Sequence, residues 1–480
     1  MNIYQFYRQM SQLNTRLKGR KFDRRKLMKA GMAGAGISMY GSMLAACTTE
    51  RADDAADDVA DDVVDDSADD AAAEQERDYS GELGLLLGSH MDPVQEIVDL
   101  YNDEYGVQPN TETITTPDLQ TVLTGAFIAR DSPWDSVFLT AALIANIAEQ
   151  GWLEPMDDFV QQIRERGEGE FLEGGLIASE HNGQIWAVPW ALGSPILHWN
   201  RQLLEDFDLD PDAPASWHET PNSWDEFVEY AVTMTAERNG QQIYGLTSAW
   251  AEDAVLGDWG SLLLMHGGQW FDEDGQPAFN DEAGVAATEK LYDLLNTHQC
   301  IDPAVRTYTW VFDASPGYLD GTRAMFMTWP FIGGVANFGE DSQIQGHSQA
   351  APRPAVETSA SNDGSEFFGI PVFAENKDEA YRFLELVTSR EGQRIIAEGG
   401  WAGVYSDVMQ EEDILEQYPF YTAISQSYEY PVDFGFTHDR GVWSDLLANE
   451  IHEVLADNKS PQEALDDAAQ RIIQDREDQS

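Results

Sequence analysis

Apolar positions along the chain fall into short runs that alternate with amphipathic stretches, and the alternation begins at Glu82. Glu82–Gly88 is an apolar run of the kind a strand buried on both faces requires. Asp92-Pro93 then opens a helix, with Asp placed to cap it and Pro in its first turn. Val94, Ile97, Val98 and Tyr101 follow at the spacing of one helical face. The pattern repeats with a strand over Val107–Thr115 and a helix over Pro117–Ala129. A strand over Asp135–Leu139 and a helix over Ala141–Gln150, stopped by Gly151, come next. Such alternation predicts an α/β fold with a mainly parallel sheet. Ligands of such sheets sit beyond the carboxyl ends of the strands. That rule selects three loops: Ser89–Met91, Thr116–Asp118 and Thr140–Ala142.

Further along, Ile185–Val188 and Ile196–Trp199 read as strands separated by Pro189–Pro195, an interruption suited to a crossing between two lobes. Ser223-Trp224-Asp225-Glu226 reads as a capping box opening a helix that runs to about Arg238. Strands are expected over Ile243–Thr247, Arg323–Thr328 and Phe367–Phe373. Helices are expected over Asp281–His298, Asp378–Glu398, Val442–Leu455 and from Ser460 onward. Residues 338–366 read as long, polar and irregular. No repeat period is evident, which excludes solenoids and propellers.

The first 47 residues have a different logic. A basic leader reaches Arg24-Arg25, and a Gly/Ala-rich apolar run follows, ending at Leu44-Ala45-Ala46-Cys47. A positive flank, a short apolar run and a small-residue exit form the layout of an export signal. The residues resemble a twin-arginine signal joined to a lipobox, with Leu27 and Asp23 as departures from the usual pattern. Cys47 is then the expected lipidation site. A single membrane helix is the alternative; Gly31, Gly34, Gly36 and Gly41, in an apolar span short of the roughly 20 residues a bilayer core needs, argue against it. Past Cys47, Asp pairs recur every four residues from Asp53-Asp54 to Asp69-Asp70, so like charges would stack on one helical face. Residues 48–80 are therefore expected to be a disordered tether, with a calcium-binding acidic tract as the alternative.

Charge sharpens this picture. The chain has 86 acidic and 28 basic residues and a formal net charge of −58. Nine of the basic residues and one acid precede Cys47, which leaves 19 basic against 85 acidic residues after it. Such a surface repels phosphate backbones, so nucleic acid is not an expected partner. It also repels itself in dilute buffer, whereas at molar salt the Debye length falls to about 3 Å. The acidity is read as adaptation to high salt. Only two cysteines are present, Cys47 and Cys300, too few for a thiolate metal site.

Four stretches carry a family resemblance. They are Gly106–Leu153, with Thr116-Pro117-Asp118 and Ser132-Pro133-Trp134-Asp135; Asn182–Asn200; Asp320–Trp329; and Asn458–Leu465. In that order they resemble the extracellular solute-binding proteins of ABC importers, specifically the maltose/trehalose-type sugar binders. The resemblance implies two α/β lobes of the periplasmic-binding-protein type (class II), hinged about a ligand cleft. It places lobe 1 at 81–193 and 370–415 and lobe 2 at 194–369 and 416–480, with crossings near 193, 369 and 415. It also implies a sugar ligand, a permease with a cytoplasmic ATPase, no cofactor, a monomer, and a place at the outer membrane face. By family position His90, Asp118 and Thr140 offer polar contacts from the first lobe, and Trp329, Phe331 and Trp443 stack from the second. Aromatics in expected cleft loops add Trp190, Trp250, Trp401 and Tyr430. With 14 Trp in the chain, most belong in cores, and Trp134, Trp152, Trp186 and Trp224 are assigned there. Relatives often carry Arg-Pro near the last crossing, where this chain has Tyr430-Pro431.

The rival class is an anchored glycoside hydrolase, which needs two carboxylates about 5–10 Å apart. With so many acids, finding such a pair proves nothing. Hydrolase, zincin and nucleotide-binding motifs are absent from the sequence. A ligand-sensing receptor without transport is the third reading.

Overall fold

The computed structural model describes residues 77–479. The signal at Arg24 and Arg25, the lipidation site Cys47 and nearly all of the acidic tether lie outside the described residues.

Two five-stranded mixed sheets organise the body. The first contains β1 (Gly84–Gly88), β2 (Asn110–Ile114) and β3 (Ser136–Thr140), all parallel, with β6 (Val188–Ala191) and β12 (Glu366–Gly369) completing the order β2-β1-β3-β12-β6. Strand β12 is antiparallel to both β3 and β6. Between β3 and β6 lies a small hairpin of β4 (Glu180–His181) and β5 (Gln184–Ile185). The second sheet has the order β11-β7-β10-β9-β8, from β7 (Ile196–Asn200), β8 (Ala236–Arg238), β9 (Gln241–Thr247), β10 (Arg323–Thr328) and β11 (Ser348–Ala351). Strand β9 is parallel to β10, and the other pairings are antiparallel.

Each sheet has its own core. Leu85, Leu86 and Leu87 are all buried because helices cover both faces of the first sheet, as the unbroken apolar run required. The second core gathers Trp199, Trp217, Trp250, Trp259, Trp270 and Trp443 around β9 and β10. A satellite cluster around Val311, Tyr318 and Phe326 packs beneath Trp329 and Phe331. The helix Asp92–Tyr105 buries Val94, Ile97, Val98 and Tyr101, as the spacing predicted.

Local expectations shift in several places. Residue 91 caps the first helix, and Asp92 lies inside its first turn. The helix at 223 is preceded by Asn222 in the left-handed region (φ 63°). Ser223 donates to the carbonyl of Trp217 at 2.5 Å, so there is no capping box. The long helix expected over 378–398 is two, Lys377–Val387 and Arg390–Glu398, separated by Ser389, whose hydroxyl caps the second. The segment 338–366 contains β11.

Two of the three crossings lie elsewhere than expected. The first is 192–195, since Val188–Ala191 is a strand of the first sheet. The second is 352–365, because Glu366–Gly369 pairs with β3 and so belongs to lobe 1, correcting the boundary at 369. The third falls near 428–434: Tyr421, Ile424, Tyr428 and Val432 pack in the first core and Phe434 against the second, which corrects the boundary at 415. These segments are bonded to one another. Gly364 N–H donates to Gly193 O at 2.7 Å, and Gly193 N–H to the Tyr428 hydroxyl at 3.1 Å. Ser361 N–H donates to Pro431 O at 3.0 Å, and its hydroxyl to Pro195 O at 2.7 Å.

The described chain enters through lobe 1. Tyr79 covers the Arg382 guanidinium at 4.1 Å, Tyr105 covers it at 4.3 Å, and Gly81 N–H donates to Glu379 at 2.8 Å.

Candidate functional site

The carboxyl ends of β1 and β3, the crossings, and the start of the helix Arg440–Leu455 enclose a cleft of about 840 Å³. Ser89, His90 and Asp92 reach it from the loop after β1. Thr116, Thr140, Ala141 and Ala142 come from the loops after β2 and β3. All three loops selected from the strand pattern thus contribute, because a parallel strand aims the chain it releases at one edge of the sheet.

Lobe 1 supplies the polar pole. His90 Nε2 lies 2.7 Å and 3.0 Å from the two carboxylate oxygens of Glu366 at the start of β12. Burial opposes a charge on His90, but the field and hydrogen bond of Glu366, with help from Asp92, outweigh it and raise the pKa above 6.5. The His90 ring also lies 5.4 Å from Trp401, which forms an apolar face beside the pair. Lobe 2 supplies an aromatic wall. Trp310 and Trp329 have ring centroids 6.0 Å apart, and Phe312 and Phe331 5.9 Å apart. Trp310 is 45% exposed, a large apolar surface left open at the rim. Gly364 is required here: a Cβ would lie 2.2 Å from the Trp329 ring. Phe420 and Ile424, then Phe434, Phe436 and Arg440, close the far side.

Asp363 also lines the cleft and is 1% exposed. Its Oδ1 accepts from Ser365 Oγ at 2.6 Å and Tyr428 OH at 3.0 Å, which joins the second and third crossings. Its Oδ2 has no partner among the described residues, and burial pushes the carboxyl up to about 6. Arg440 stacks on Phe434 at 4.2 Å. Burial draws its guanidinium below the usual range, with the field of Asp253 opposing.

Of the residues selected from sequence, His90, Thr140, Trp329, Phe331 and Trp401 come together in this cleft. Five do not. Asp118 is exposed on the helix Thr116–Ile128 and accepts from the Thr115 hydroxyl at 2.5 Å. Trp190 is fully buried under Trp401, with ring centroids 5.1 Å apart. Trp250 is fully buried in the second core, where its N–H donates to Asp258 at 2.7 Å; Asp258 is in turn paired with Arg353. Trp443 is fully buried and donates to Thr437 at 2.7 Å. Tyr430 packs edge-on to His218, 5.9 Å away, outside the cleft lining. Trp134 and Trp224 are buried as expected, and Trp152 and Trp186 are partly buried against the first core. The sequence reading missed Trp310, Phe312, Asp363, Glu366, Phe434, Phe436 and Arg440.

The profile of Bacterial extracellular solute-binding proteins matches residues 87–394. The chain belongs to this family. The binding protein is 23% identical over 319 residues to the "Probable amino-acid ABC transporter periplasmic-binding protein y4oP" of Sinorhizobium fredii, covering 66% of this chain and 68% of that one. It is 22% identical over 217 residues to an arabinooligosaccharide-binding protein of Halalkalibacterium halodurans, covering 44% of this chain and 45% of that protein. The maltose-bound MalE3 of T. maritima superposes with a TM-score of 0.67 at 24% identity, covering 81% of this chain and 98% of that one. The two-lobed α/β fold of the binding protein is that of these solute-binding structures. Among the described residues, no helix is long and apolar enough to cross a membrane.

Proposed function

We propose that this protein captures a carbohydrate, a di- or oligosaccharide, outside the cell and hands it to an ABC permease driven by a cytoplasmic ATPase. The observation that carries the reading is the composition of the cleft. Sugars present apolar ring faces and a belt of hydroxyls. Trp401 on one side and Trp310, Trp329 and Phe331 on the other offer aromatic faces, while His90, Glu366 and Thr140 offer hydrogen bonds. A volume of about 840 Å³ has room for more than one ring. Relatives named for arabinooligosaccharide and maltose support the same class.

The mechanism is closure about the three bonded crossings. A ligand that touches both lobes only when they are closed shifts the population toward the closed form, which docks on the permease. The protein binds without turnover and acts as a monomer. Export through the twin-arginine signal at Arg24-Arg25, lipidation at Cys47 and the acidic tether hold it at the outer membrane face. The acidic surface is an adaptation to molar salt.

Calorimetry and tryptophan fluorescence against a panel of carbohydrates and amino acids, in molar salt, test this. Saturable carbohydrate binding without release of reducing ends is expected. Binding of an amino acid and of no carbohydrate, or hydrolysis of the sugar, overturns it.

A further inference from the structure

Cations are scarce in this protein, and most of them are committed. At least thirteen of the eighteen Lys and Arg among the described residues hold a carboxylate within 4 Å. Arg440 does not, although it lines the cleft of an exceptionally acidic protein. Its guanidinium makes no hydrogen bond or ion pair with the described residues, and its Nε is buried without a partner. The neighbouring carboxylate, Asp439, is taken by Arg476 at 2.6 and 3.0 Å and by Thr437 at 2.7 Å. Asp253 acts on Arg440 only through its longer-range field.

The guanidinium is nevertheless held in place. Phe434 lies beneath it at 4.2 Å, with Trp443 at 5.6 Å and Phe436 at 5.9 Å. Aromatic stacking fixes the plane of an arginine and leaves its N–H edge free to donate. A partly desolvated cation without a counterion is costly to keep, and a ligand that brings the counterion removes that cost. The opposite pole of the cleft is chemically different. There Glu366 and Asp92 supply acceptors for hydroxyl donors, and His90 is already engaged by Glu366. One end thus suits hydroxyls, the other an anion, with aromatic faces between them.

We propose that the solute carries a carboxylate and that Arg440 is its anchor, which makes the ligand an acidic oligosaccharide with at least one uronate ring. This rests on the carbohydrate reading above and narrows it. A carboxylate matches the planar fork of arginine with two parallel hydrogen bonds, which a single neutral hydroxyl does not supply.

The test is calorimetry on the full-length protein at fixed molar salt. The probes are di- and trisaccharides of galacturonate, glucuronate and mannuronate, each beside its carboxyl-reduced neutral counterpart. At least one uronide is expected to bind about 10- to 100-fold tighter than its reduced form. Arg440→Gln should erase that preference and change affinity for the reduced form less than about 3-fold. Arg440→Lys, which keeps the charge and loses the fork, should restore only part of it. Thermal melts establish that both variants fold. If reduced sugars bind as tightly as uronides, or if Arg440→Gln weakens both equally, the proposal is overturned and the carbohydrate reading stands. If none of these sugars binds while a neutral carbohydrate of the wider panel does, the proposal is overturned and the carbohydrate reading stands; if no carbohydrate of either set binds, both fall.

Discussion

Replacing Asp363 with Asn isolates the energetic effect of a charge buried at the hinge. Ser365 and Tyr428 donate to its Oδ1, and its Oδ2 has no donor among the described residues. Burial raises the carboxyl from 3.8 to about 6. That displacement corresponds to about 3 kcal/mol. The folded-state pKa lies above the unfolded one, so the stabilisation is fully present below the unfolded value. It is lost as pH rises through about 6. The side-chain amide of Asp363→Asn would keep an oxygen for Ser365 and Tyr428 but would never ionise. Urea denaturation at constant molar salt, from about pH 4 to about pH 8, should show the wild type losing about 2.5 kcal/mol more than Asp363→Asn across that range. The variant should equal or trail the wild type in acid and overtake it above neutrality. Asp433, which burial also raises, adds its field to the rise at Asp363, so the same pair of curves measured in an Asp433→Asn background separates the two carboxyls. Parallel stability curves would refute the argument that Asp363 is a desolvated charge.

Trp329→Ala should weaken ligand binding at least tenfold with little loss of stability, whereas Trp250→Ala should cost about 3–5 kcal/mol of stability, which paired calorimetry and denaturation would separate. Gly364→Ala places a methyl against the Trp329 ring and should lower affinity. Gly441→Ala, where an added Cβ meets nothing within 4 Å, should leave affinity unchanged in the same titration. Thermal melts should show a marked loss of stability on transfer from molar salt to dilute buffer, and equal melting temperatures would contradict the salt-adaptation argument.

Lobe 1 was more legible in the sequence than lobe 2 for a physical reason. Strand–helix alternation fixes which loops leave the carboxyl ends of parallel strands, so His90, Thr116 and Thr140 could be placed from local pattern. On the opposite wall Trp329 and Phe331 could be placed as well, but Trp310, Phe434, Phe436 and Arg440 are brought to the cleft by tertiary packing alone. Trp190, Trp250 and Trp443 misled because Gly, Pro and polar neighbours mark turns, and turns need not be exposed. Asp258 and Thr437 satisfy the indole N–H groups of Trp250 and Trp443 inside the fold. The crossing at 352–365 was missed because its key groups, Ser361, Asp363 and Gly364, are small or polar and carry no periodicity.

The pinning of the chain at its entry has a mechanical consequence. Tyr79 on Arg382 and Gly81 on Glu379 fix this stretch of the chain to lobe 1. Any pull transmitted along the preceding segment is therefore borne by lobe 1, and the lobe that ends in the helix Pro461–Gln479 is free to swing. Dyes attached near Ser80 and near the end of that helix would then report hinge angle directly, with one dye stationary in the frame of lobe 1 and the other sweeping with each capture event.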